Sequence, residues 1–179
     1  MERAELVVRA LDFLVRLTDA DVPLDEALNA LSALAEQFQP GAIVGGTLID
    51  GRSATFERVV YPSLLASPFS TFSHVPISSP IFGTCGKAVR EGKTISCSDT
   101  ATETSFDVSW RSLYLGLGIH SVQSAPVFSF DGKPLGTFVV ASREPQAPFD
   151  LQMTGFGVYA MRTILQKPSS RYNSGPRAV

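Results

Sequence analysis

The sequence predicts an α+β fold in one domain: helices at both ends around about six short strands that pair antiparallel. Three observations predict it. Apolar residues recur at helical spacing near both termini. Two Asp-Gly steps, Asp50-Gly51 and Asp131-Gly132, each join a pair of strand-like runs. Between Phe82 and Ser142 a glycine-bracketed turn, an aromatic helix and a hairpin follow one another, the layout of a cup for a small molecule.

The elements follow in order. Leu6, Val7, Ala10, Leu11, Leu14 and Leu17 form a helical stripe, with Arg3, Glu5, Arg9, Asp12 and Arg16 on the other side. Pro23 suits a first helical turn, Asp25 and Glu26 suit its positive dipole end, and Ala27, Leu28, Leu31, Leu34, Ala35 and Phe38 make the next stripe, stopped by Pro40-Gly41. Residues 42–49 and 54–61 read as antiparallel strands. Residues 61–73, with two prolines and four serines, read as loop with at most one helical turn. A short strand is expected at 74–77. Gly83 and Gly86 open a helix through Arg90 that Gly92 ends in the position of a left-handed cap. Residues 94–96 make an edge strand, and 106–117 a helix with Trp110, Leu113, Tyr114 and Leu117 on one face, ended by Gly118. Strands 119–128 and 134–142 alternate, and Asp150 caps a last helix through Leu165, although Gly155 and Gly157 each lower its stability by about 1 kcal/mol relative to alanine. Residues 1–22 are read as a helical segment, 23–167 as the domain, and 168–179 as a disordered tail.

At 179 residues and 44% hydrophobic content the chain has room for one core. Its 15 basic and 17 acidic residues give a net charge of −2, which provides no broad footprint for nucleic acid or anionic lipid. No apolar run approaches the roughly 20 residues of a membrane span, and the N-terminus lacks a signal-peptide plan, so a cytoplasmic location is expected. The two cysteines, Cys85 and Cys97, read as thiols and not as a structural bridge.

The runs Gly83-Thr84-Cys85-Gly86-Lys87-Ala88, Gly118-Ile119-His120-Ser121-Val122-Gln123-Ser124-Ala125-Pro126-Val127 and Asp131-Gly132-Lys133-Pro134-Leu135-Gly136-Thr137-Phe138, with Asp99 between them and Arg143-Glu144-Pro145 after, resemble a GAF domain. The pattern is most similar to GAF domains of bacterial sensor histidine kinases and of diguanylate cyclases and phosphodiesterases. Gln123 departs from it, standing where that subgroup usually has an aromatic residue. The resemblance implies an α/β sandwich with the terminal helices on one sheet face and the middle helices and loops closing a pocket over the other. It also implies a homodimer through the terminal helices and a signalling output domain on the same or another chain.

Cys85 invites comparison with the GAF-fold enzyme that reduces free methionine sulfoxide, a chemistry that needs a thiolate and a resolving thiol. By resemblance that enzyme places further cysteines before the penultimate strand, where this chain has none. Its acidic substrate cage corresponds to Val122, Val139 and Ala141 here. Cys85 is therefore read as a packing residue and no catalytic residue is assigned. The aromatic helix offers no cysteine for a bilin, and His74 and His120 have no acidic residue or cysteine at ligand spacing, so no metal or cofactor is assigned. The Gly83 and Gly86 spacing is neither a P-loop nor a dinucleotide fingerprint.

A pocket remains. His120, Val122 and Ser124 share a strand face, and Thr137, Val139 and Ala141 another; together they make a small, mixed floor too poor for close helix packing. Trp110 and Tyr114 would form a lid with Phe82 and Cys85 at the rim. The leading expectation is a non-enzymatic sensory domain for an unidentified small molecule. The alternatives are a dimerisation module without ligand and a thiol-dependent reductase.

Overall fold

Helical spacing of apolar residues builds α1 (Arg3–Asp19) and α2 (Leu24–Phe38) at one end of the chain and α5 (Leu151–Leu165) at the other. The computed structural model describes residues 3–19, 22–64 and 74–167; the loop expected at 61–73 falls largely, and the tail at 168–179 wholly, outside the described residues. Six strands form one antiparallel sheet in the order β3-β2-β1-β6-β5-β4. They are β1 (Ala42–Asp50), β2 (Thr55–Val60), β3 (Val75–Pro76), β4 (Ile95–Cys97), β5 (Ser121–Phe128) and β6 (Pro134–Ser142). The two Asp-Gly hairpins expected from sequence join β1 to β2 and β5 to β6, and the first and last long strands meet in the middle, where Thr47 pairs with Thr137. The expected α+β class and strand count are what the sheet shows.

Strand alternation divides the interior in two. Val44, Phe138 and Val140 face α2 and α5, meeting Leu28, Leu31, Met153 and Met161. Ile43, Val122, Val139 and Ala141 face the other way, toward α3 (Gly83–Glu91) and α4 (Val108–Gly116). Each layer buries side chains at close to full exclusion of water, the main favourable term in folding. Asp150 caps α5 by accepting from the Gln152 and Met153 N–H groups at 2.9 and 3.0 Å. Gly92 ends α3 at φ +64 as expected.

Two expectations are corrected. α4 starts at Val108, later than Phe106, because the Asp107 carboxylate accepts from Ser109 N–H at 2.8 Å and sets the N-cap there. The apolar stripe of α1 is also two stripes and not one. Leu6 and Ala10 are buried, with Phe13 and Leu14 packed behind them, whereas Val7 and Leu11 face outward beside Val8 and Val15.

The two glycines of α5 separate in cost. A Cβ on Gly157 would meet the Phe138 ring at 2.3 Å, while one on Gly155 meets nothing within 4 Å. Gly155→Ala should therefore raise stability by up to about 1 kcal/mol through helix propensity. Gly157→Ala should lower it by about 1–3 kcal/mol through overpacking that exceeds the same propensity gain. Thermal melts of both variants check this; equal shifts for the pair would contradict the packing.

Candidate functional site

The face opposite the terminal helices is built by α3. Gly83 takes φ +38, a left-handed conformation favouring glycine, and a Cβ there would lie 2.4 Å from the Trp110 indole. The glycine thus lets the α4 ring close onto the start of α3. Thr84, Cys85 and Ala88 are small and buried, so α3 lies flat on the small residues of β5 and β6.

That packing corrects the expected open floor. Val122, Ser124, Thr137, Val139 and Ala141 do share one face, as read from alternation, but α3 covers them and all five are fully buried. Small residues on both sides favour close approach, the opposite of what their size suggested. Trp110 and Tyr114 pack as a tilted pair with ring centroids 4.6 Å apart, and Phe106 meets Trp110 at 4.7 Å. Phe82 stacks on Phe56 of β2 at 3.8 Å. Phe82, Cys85, Trp110 and Tyr114 are therefore interior residues and not a rim and a lid over open space. His120 alone of the expected set stands apart, half-buried just before β5, its backbone tied to Ser142 and Thr100.

What lies between these elements is polar. The Ser124 hydroxyl donates to Thr84 Oγ1 at 2.9 Å and lies 3.4 Å from Cys85 Sγ. Thr47 and Thr137 share a hydrogen bond of 2.7 Å across β1 and β6. The Tyr61 and Tyr114 hydroxyls are 3.4 Å apart. A cavity of about 10 Å³, near the size of one water, sits among Thr47, Tyr61, Phe82, Cys85 and Tyr114. Buried in the same layer, the Trp110 indole N–H has no hydrogen-bond partner of good geometry among the described residues, although it lies close enough to the Tyr114 hydroxyl to offset part of the rise in that phenol's pKa. Thr47, Tyr61 and Thr84 were missed from sequence. Tyr61 reaches the site because Gly45 of β1 leaves room: a Cβ there would lie 2.4 Å from its ring.

Burial governs the electrostatics. It pushes the Cys85 thiol up, with the hydroxyls of Ser124, Thr137, Thr84 and Tyr114 drawing it partly back. Burial likewise raises Cys97, Tyr61 and Tyr114. Both cysteines are free. Among the described residues there is no group of three or more His, Cys, Asp or Glu that would hold a metal, and no helix long and apolar enough to cross a membrane.

The family model described as "GAF domain" matches residues 2–156. No curated protein matches the chain. Among solved structures, the free methionine-R-sulfoxide reductase of Neisseria meningitidis, in complex with its substrate, is similar at TM-score 0.66 and 19% identity, over 90% of this chain and 87% of that one. The GAF domain of the Acinetobacter phosphoenolpyruvate-protein phosphotransferase is similar at TM-score 0.66 and 15% identity, over 92% of each chain. A proposed GAF sensor protein of Burkholderia vietnamiensis reaches TM-score 0.65 at 18% identity, over 96% of this chain and 99% of that one. These likenesses show the fold.

The raised thiol and phenols give stability a defined pH dependence. Their ordinary values are 9.0 for cysteine and 10.0 for tyrosine. A group whose folded pKa lies above its unfolded one stabilises fully below the unfolded value and loses that contribution as pH rises past it. Urea midpoints should therefore fall above about pH 9, and Cys85→Ala or Tyr114→Phe should flatten part of the fall. A midpoint decline in both variants as steep as in the parent would contradict the assignment.

Proposed function

Because the chain belongs to the GAF domain family, we propose that it is a non-enzymatic sensory domain for a small polar molecule held among Thr47, Tyr61, Thr84, Cys85, Tyr114, Ser124 and Thr137. One observation carries this: hydroxyls and a thiol are gathered inside an otherwise apolar layer. Burying such groups costs free energy unless each is hydrogen-bonded, and a layer serving only to pack is better filled by alkyl groups. The Trp110 N–H, which has no partner of good geometry among the described residues, adds a buried donor beside the Tyr114 hydroxyl.

A cavity of about 10 Å³ holds no metabolite, so binding requires α4 to withdraw from α3 and the sheet. Apparent affinity is then the intrinsic affinity scaled by the fraction of open protein. A route to the terminal helices exists. Gln123 donates to Ser96 Oγ at 3.2 Å and accepts from Thr154 Oγ1 of α5 at 2.9 Å, so a shift of β4 and β5 is felt by α5. In this reading the domain serves a sensor kinase or cyclic-di-GMP enzyme, with its output on the same or another chain.

The reductase reading rests on Cys85 and Cys97 and the fold likeness to methionine sulfoxide reductases. Against it, burial of Cys85 disfavours the thiolate that such chemistry uses at neutral pH. Cys85→Ser with no loss of any measured turnover would remove it.

A thermal-shift screen over cyclic nucleotides, amino acids and small anions tests the sensory reading. A ligand at 100 times its Kd stabilises by about 2.7 kcal/mol, or roughly 5–10 °C for a domain of this size. Ser124→Val should diminish that shift. Uniform lack of stabilisation across the screen sinks the proposal.

A further inference from the structure

The interior under α3 and α4 carries hydrogen-bonding groups and no charge. Among the described residues every buried polar side chain is a serine, a threonine or Gln123, and no Asp, Glu, Lys, Arg or His is buried. The ionisable groups around the small cavity, Cys85, Tyr61 and Tyr114, are kept in their neutral forms by burial.

Charged side chains stand outside this layer. Lys87, Arg90, Glu91 and Asp107 line an outer cleft of about 270 Å³, which shares Gly83 and Phe106 with the packing around Trp110. Each has an interaction of its own there. Lys87 lies 5.6 Å over the Phe106 ring, Arg90 donates to the Ile77 carbonyl at 2.9 Å, Glu91 pairs with Lys93 at 2.9 Å, and Asp107 caps α4. The inner walls are flat, with Phe82 stacked on Phe56 and Trp110 against Tyr114. Trp110 is the largest fully buried side chain, so its withdrawal with α4 frees a space of ring size.

We infer that the part of the guest that enters this layer is an uncharged, planar, hydrogen-bonding group of one ring, an amide or lactam in character, and that any charge the molecule carries stays outside. This rests on the sensory reading above and names the chemistry which that site admits. A charge taken out of water is costly unless an opposite charge meets it, and hydroxyls and a thiol answer polarity but not charge. The N-terminus of α3 offers a partial positive charge, a smaller effect than the desolvation of a carboxylate.

Matched probes that differ chiefly in charge test this on the full chain: benzamide against benzoate and benzylamine, and uracil against its carboxylate, orotate, all at neutral pH. Affinity is read from thermal shift over a concentration series, and entry from the emission of Trp110, the single tryptophan of the sequence. Benzamide or uracil should stabilise the protein and change that emission, with its charged counterparts at least about 10-fold weaker. Tyr61→Phe, which removes one hydroxyl from the cavity wall, should weaken the uncharged probe about 3–10-fold. A charged probe that changes Trp110 emission and binds as tightly as its uncharged counterpart overturns the inference and leaves the sensory reading standing. Stabilisation by compounds of the wider screen, with none from benzamide or uracil, does the same. An uncharged probe that leaves Trp110 emission unaltered, or binds Tyr61→Phe as well as the parent, sits elsewhere and overturns it too. No shift from these probes or from the wider screen removes the inference and the sensory reading together.

Discussion

The seating of α3 on β5 and β6 is the contact on which the middle of this protein depends. Cys85 lies against Ser124, and Ser124 bonds Thr84, so the helix and the sheet are joined by small polar side chains at van der Waals range. Gly83 carries the same closeness to the next layer by admitting Trp110 where a Cβ would stand. Any larger residue in this bracket would lift α3, and with it α4 and the aromatic pair above.

That seating gives the two sides of the sheet different characters. The side under α2 and α5 is mostly apolar, with Phe138, Val140, Leu31 and Met161 in contact and one buried polar pair, Gln123 and Thr154, among them. The other side mixes aliphatic floor residues with hydroxyls and a thiol. A purely apolar layer is stable closed and has nothing to gain by opening. On the proposed sensory reading, the buried hydroxyls and the indole N–H are the hydrogen-bonding groups that a polar guest would take up. The hydrogen bond between Gln123 of β5 and Thr154 ties the sheet to α5 near the end of the chain.

Much of this was legible in the residues. Strand alternation placed Val122, Ser124, Thr137, Val139 and Ala141 on one face because a period of two is enforced by the pleat, whatever covers it. Asp131-Gly132 marked its hairpin by the same local necessity. What covers a face is a tertiary matter that side-chain size does not decide: small residues suit an open floor and a small-faced helix alike, and here α3 fits them. Tyr61 and Thr47 were illegible for a different reason. Their arrival depends on the β1–β2 register, including its irregularity at Leu48 and Ile49, and on the space left by Gly45. In α1, helical spacing groups Val7 and Leu11 with Leu6 and Ala10, and only burial separates the two stripes.

The account's central claim is that the α3–α4 layer closes over a polar interior and opens without unfolding the domain. Native-state hydrogen exchange of the Trp110 indole N–H and the α4 backbone amides, compared with amides of β1 and β6, measures this directly. Exchange of α4 and Trp110 through a local opening far more frequent than global unfolding, with β1 and β6 protected to the global limit, is the predicted result. Equal protection of all of them would mean that the layer opens only when the whole domain unfolds, and would contradict the account.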